Sequence, residues 1–165
     1  MKLKNLILTA ILTASALVAF AIEAAFPPLT PIYGVKLGAA NIFTLFALYV
    51  LGTKQAAAVL FLRIILGSIF AGQIVSFMYS LTGGVLSFLI MILLKRFFSI
   101  KKLWVLSTLC AVTHNIGQLL AAVFITQTLQ IMFYLPVLMA SGIAAGAFTG
   151  LCAQIVLIRF EKFKK

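Results

Sequence analysis

Tyr33-Gly34-Val35-Lys36-Leu37-Gly38-Ala39-Ala40-Asn41 runs straight into the apolar stretch 42–52, and its reading decides what kind of bundle the chain makes. A loop stiffened by Pro27, Pro28 and Pro31 precedes it. Asn41 is a good helix N-cap, because its side-chain oxygen can take up a free N–H of the first turn. The helix it opens is too short to cross a bilayer cleanly, since a span needs about 20 apolar residues. A rigid polar loop feeding a short helix, in a chain otherwise apolar, is where a ligand is expected.

Outward from this stretch the sequence is that of a membrane protein. It is 64% hydrophobic and 9% charged, with a mean hydropathy of +1.24. Soluble domains carry about 25% charged residues. One all-α integral membrane domain, multi-pass in the cell membrane, fits the 165 residues. Helices are expected over 5–26, 41–52, 55–77, 84–94, 103–126 and 131–160. Lys2 and Lys4 before an apolar run also open a secretory signal, and Ala14-Ser15-Ala16 has the look of a cleavage site. The run exceeds a signal core of about 7–15 residues, so it reads as a retained first helix. Ser80-Leu81-Thr82-Gly83-Gly84 is read as the outer turn into the fourth helix, paired glycines permitting a tight reversal.

The net charge of +11 does not point to nucleic acid, because the charges sit in short clusters between apolar runs. Lys2, Lys4, Lys54, Lys95, Arg96, Lys101, Lys102, Arg159, Lys162, Lys164 and Lys165 fall on one side of a six-span arrangement. Lys36 stands alone on the other side, and Arg63 lies within an apolar run. Positive charge stays cytoplasmic, so both termini are expected there. The aromatic basic linker 95–102 can hold anionic lipid or a cytoplasmic enzyme, or can serve topology alone.

Few residues are equipped for chemistry. Aspartate is absent, and Glu23 and Glu161 are the only acids. Magnesium-assisted diphosphate chemistry and paired-carboxylate catalysis both need clustered carboxylates, so no catalytic residue is assigned. Cys110 and Cys152 lie in apolar segments without metal-ligand spacing, which leaves no metal site or cofactor to expect. Arg63 lies nine residues past Lys54, roughly 13 Å inward. Left alone there it costs at least about 2.5–3.5 kcal/mol. It either pairs structurally, with carbonyls or Glu23, or binds an anion.

Thr113-His114-Asn115-Ile116-Gly117-Gln118 is the most polar patch of the fifth helix. His114 and Gln118 share a face at i, i+4, with Asn115 beside them. They form either an interhelical hydrogen-bond network or part of a ligand site. Glu23, near the outer end of the first helix, can pair with Lys36 or Arg63, carry a proton, meet a ligand, or be solvated. Small residues recur at Ala10, Ala14, Ala21 and Ala25, and at Gly142, Gly146 and Gly150. Such rows let helices approach closely. The glycine row is expected to pack internally, and the alanine row to pack internally or dock another membrane subunit.

Lys36-Leu37-Gly38-Ala39-Ala40-Asn41-Ile42, Tyr79-Ser80-Leu81-Thr82-Gly83-Gly84 and His114-Asn115-Ile116-Gly117-Gln118 together resemble the signature stretches of the Gx transporter family, also labelled heptaprenyl diphosphate synthase component I. The resemblance covers nearly the whole chain. That family looks like the six-helix substrate-binding (S) components of energy-coupling factor transporters. The likeness implies vitamin-type uptake, with a site toward the outer face under the loop between the first two helices. It also implies that the alanine row docks a coupling membrane subunit bound to cytoplasmic ATPases, and Ala10 and Ala14 match that row.

The function expected is therefore binding and translocation of a small anionic or polar molecule. Glu23, Lys36, Asn41, Arg63, His114, Asn115 and Gln118 would contact it, and membrane lipid would surround the bundle. No Gly-x-x-x-x-Gly-Lys motif is present, so ATP would be hydrolysed elsewhere. The alternative is a non-catalytic membrane accessory of isoprenoid or quinone biosynthesis. The synthase label fits the residues poorly as an enzyme, because prenyl diphosphate synthases bind magnesium through aspartate-rich motifs.

Overall fold

A computed structural model describes residues 3–25, 38–72 and 74–163. Lys36, the proline-bearing loop, Lys2, Lys164 and Lys165 lie outside them. Six α-helices follow in order: α1 (Leu3–Ala25), α2 (Ala40–Val50), α3 (Thr53–Ala71), α4 (Ile74–Lys95), α5 (Leu103–Thr126) and α6 (Leu135–Phe163). Short 3-10 helices, Ile100–Lys102 and Leu129–Tyr134, lead into α5 and α6. All but α2 are long and apolar enough to cross a membrane. With 11 residues, α2 covers only about 16 Å, half the hydrocarbon thickness.

Three boundaries lie four or more residues from those expected. The third helix stops at Ala71, not residue 77, because Gly72 takes a left-handed conformation (φ 64°). Its N–H then returns to the carbonyls of Ser68 and Ile69, a glycine C-cap. Helix α4 therefore begins at Ile74, and Tyr79–Gly84 lies inside it. The last helix is regular only from Leu135, one residue before Pro136, whose missing N–H is harmless in a first turn.

The ends of the helices fix their directions. Glu23 in α1 binds Gly38 just before α2. Lys95, closing α4, meets Leu48 near the end of α2, and the rings of Phe46 and Phe160 lie 5.4 Å apart. Consecutive helices run antiparallel. Lys4, Lys54, Lys95, Arg96, Lys101, Lys102, Arg159 and Lys162 consequently gather at one end. Among the described residues Arg63 is the one basic side chain away from it. The packed core sits at this basic end, built from Leu45, Leu48, Val59, Leu103, Leu106 and Leu157.

The glycine row of α6 packs internally, as expected. A methyl group on Gly146 or Gly150 would lie 2.6–2.7 Å from atoms of α5, including the Cα of Thr108 and of Trp104.

Lys95 has an internal task. Its Nζ donates to the Leu48 carbonyl at 2.7 Å, at the negative end of α2, and lies 5.3 Å from the Tyr49 ring centre. Tyr49 in turn donates its hydroxyl to the Phe98 carbonyl at 2.9 Å. Lys95→Met is expected to cost about 1–2 kcal/mol. Arg96→Met, at an exposed side chain stacked on Phe97, is expected to change stability by less than about 0.5 kcal/mol. Thermal melts of the two variants in one detergent check the contrast.

Candidate functional site

The start of α2 is held from two sides. Gly38 adopts φ 68°, a left-handed conformation that glycine reaches without steric penalty, and its N–H donates to Glu23 Oε1 at 2.7 Å. The Asn41 N–H donates to the Gly38 carbonyl at 2.8 Å. Asn41 is not the N-cap that its sequence position suggested: Ala39 occupies that place without a side-chain bond. The Asn41 carboxamide oxygen instead accepts from Arg63 Nη2 at 3.1 Å.

Helix rise explains why these two meet. Asn41 stands about 14 Å above the end of α2 and Arg63 about 15 Å above the start of α3. Since only Leu51 and Gly52 separate the two antiparallel helices, the residues reach the same level. Arg63 Nε is buried and has no hydrogen-bond partner.

From α5, His114 rises about 17 Å from Leu103, to a comparable depth. Gly83 of α4 makes room for it. A methyl group on Gly83 would lie 2.8 Å from Gln118 Cγ and 3.1 Å from His114 Cε1. Gly117 in turn faces Gly83 so closely that its own added methyl would meet the Gly83 Cα at 2.8 Å. The stretches 79–84 and 114–118, far apart in sequence, cross here backbone to backbone.

Glu23, Asn41, Arg63, His114, Asn115 and Gln118 all line one cavity, with room for water centres over about 80 Å³. Thus α1, α2, α3 and α5 each place at least one polar group on it. Lys36 is outside the described residues. Asn115 is partly committed, since its Nδ2 donates to the Leu138 carbonyl of α6 at 2.6 Å. Ala10 and Ala14 are exposed on α1, on the side away from buried Thr9, Thr13 and Ala16.

The floor of the cavity was not anticipated. Ser87, Ser107 and Thr149 line it below the polar ring, and the Ser107 and Thr149 hydroxyl oxygens lie 3.3 Å apart. Continuing the 114–118 face down α5 in helical steps reaches Ala111 and Ser107, a signal present in the sequence. Ser87 and Thr149 offered no such cue, being small polar residues inside long apolar helices.

The arrangement offers donors from Arg63, an acceptor carboxylate from Glu23, and amides able to do both. Among the described residues no three His, Cys, Asp or Glu side chains come together to hold a metal. The family model described as heptaprenyl diphosphate synthase component I matches residues 12–156, which include every residue placed around the cavity. The chain belongs to that family. No curated protein and no solved structure matches it. Within the matched residues 12–156, Glu23 is the sole acid. One carboxylate is too few for the magnesium clusters of diphosphate chemistry. The family's description names a component of a synthase.

Proposed function

We propose that this protein is a multi-pass membrane subunit, comparable to the S components of energy-coupling factor transporters, that binds a small anionic or polar vitamin- or cofactor-like molecule for uptake. One observation carries the reading: six polar side chains from four helices turn toward one cavity inside an apolar bundle. Buried polar groups in lipid are costly and mark pathways or ligand sites. The basic end is cytoplasmic by the positive-inside rule, both termini with it. The cavity then lies toward the outer half. A coupling subunit carrying ATPases docks on the exposed face of α1 around Ala10 and Ala14.

The test is native mass spectrometry of the intact protein taken from membranes. A small-molecule adduct is expected on the wild type and not on Arg63→Gln. A wild type that carries only lipid, and that no small-molecule probe stabilises, sinks the reading.

The family description favours a second reading, a membrane accessory of isoprenoid or quinone biosynthesis. The basic end would then receive a cytoplasmic synthase through exposed Arg96, Lys101 and Lys102. Lys95 is left out, being occupied by Leu48. Co-purification of a prenyltransferase that disappears when those three are neutralised would favour this reading over uptake.

A further inference from the structure

We propose that the molecule taken up by the cavity is a small zwitterion, its acidic group against Arg63 and its amino group against Glu23. This rests on the substrate-binding reading above. Among the described residues, Arg63 and Glu23 are the charge-bearing side chains of fixed sign on the cavity wall, one of each. Their hydrogen bonds run to Asn41 and Gly38, not to each other. Arg63 retains a buried Nε with no hydrogen-bond partner, and a carboxylate offers about four acceptor positions, of which Gly38 uses one.

Charge balance selects the ligand class. A bare anion on Arg63 would leave Glu23 without compensation in a low-dielectric interior, and a bare cation on Glu23 would strand Arg63. A molecule carrying both signs satisfies each. The points to which the two groups are tied, Gly38 and Asn41, are joined by an i to i+3 hydrogen bond. That keeps their Cα atoms within about 7 Å of each other, so the carboxylate and the guanidinium are held at the same end of the cavity. The cavity floor of Ser87, Ser107 and Thr149 beside Met91 takes a partly polar, partly apolar remainder.

The experiment is thermal melting of the full chain in detergent with glycine through 6-aminohexanoate. Each is compared with the matching carboxylic acid lacking the amine and the matching amine lacking the acid. One amino acid is expected to raise Tm by about 4 °C or more, with the matching acid and amine at least tenfold weaker. Glu23→Gln should erase the preference over the acid, and Arg63→Gln the preference over the amine. An acid as effective as its amino acid overturns the inference and leaves the substrate-binding reading standing. So does a preference that survives Glu23→Gln.

Should neither variant fold, or no probe act, the molecule co-purified with the wild type decides. A reactive amine together with an acid supports the inference, and absence of either overturns it. No co-purified molecule and no active probe remove the substrate-binding reading itself.

Discussion

Gly117→Leu is expected to leave no folded bundle. The Cβ alone would lie 2.8 Å from the Gly83 Cα, 3.0 Å from the Thr82 carbonyl oxygen and 3.1 Å from the Gly83 nitrogen. All three are backbone atoms of α4, so no side chain can swing aside. Even alanine there forces α4 and α5 apart and should cost on the order of 1–3 kcal/mol. Leucine demands a separation that also dismantles the cavity wall at His114 and Gln118, for a loss beyond about 4 kcal/mol. The control is Gly72→Ala, where an added methyl meets nothing within 4 Å. Only the left-handed conformation is penalised there, by about 1–2 kcal/mol. Yield of monodisperse protein and its melting temperature in detergent are the measurements. A Gly117→Leu protein that melts like the wild type would mean that α4 and α5 do not cross at these glycines.

The same glycines show where the sequence could and could not be read. Apolar length and the basic clusters revealed the helices, and the bounds of α5 came out as 103–126 because flanking lysines and Gln127 mark its ends. Gly83-Gly84 misled. In water such a pair signals a turn, whereas between membrane helices small residues signal close approach, and local sequence does not distinguish the two. The actual break hinged on Gly72, a single glycine whose left-handed cap depends on the chain turning back there.

Asn41 misled for a related reason. A capping residue and a hydrogen-bond acceptor for a distant arginine look alike in sequence, and the presence of Arg63 at its level decided the matter. Arg63, His114 and Gln118 were legible individually because a polar side chain in an apolar run needs a partner. Their convergence was not, since it depends on the 11-residue length of α2 and its depth beside α3.

Arg63→Gln, set against the double variant Glu23→Gln/Arg63→Gln, should separate what these charges do for the fold from what they do for a ligand. The single change leaves the Glu23 carboxylate, still bonded to the Gly38 N–H, without the nearby positive charge. Loss of the compensating cation is expected to cost about 3 kcal/mol. Neutralising both groups removes the imbalance, and glutamine at position 23 still offers an oxygen to Gly38. The double variant should therefore recover to within about 1 kcal/mol of the wild type, a coupling that the four-protein cycle reads directly from melting temperatures. A double variant no more stable than Arg63→Gln would show that the two charges do not compensate each other.

Binding should follow the opposite pattern. If the charges serve only packing, the stable double variant keeps the co-purified molecule. If they hold a ligand, that molecule is absent from the double variant despite its regained stability. The second outcome is expected. Two apolar side chains would have filled this site at less cost than a half-buried arginine and a half-buried glutamate, so compensation alone does not account for carrying both.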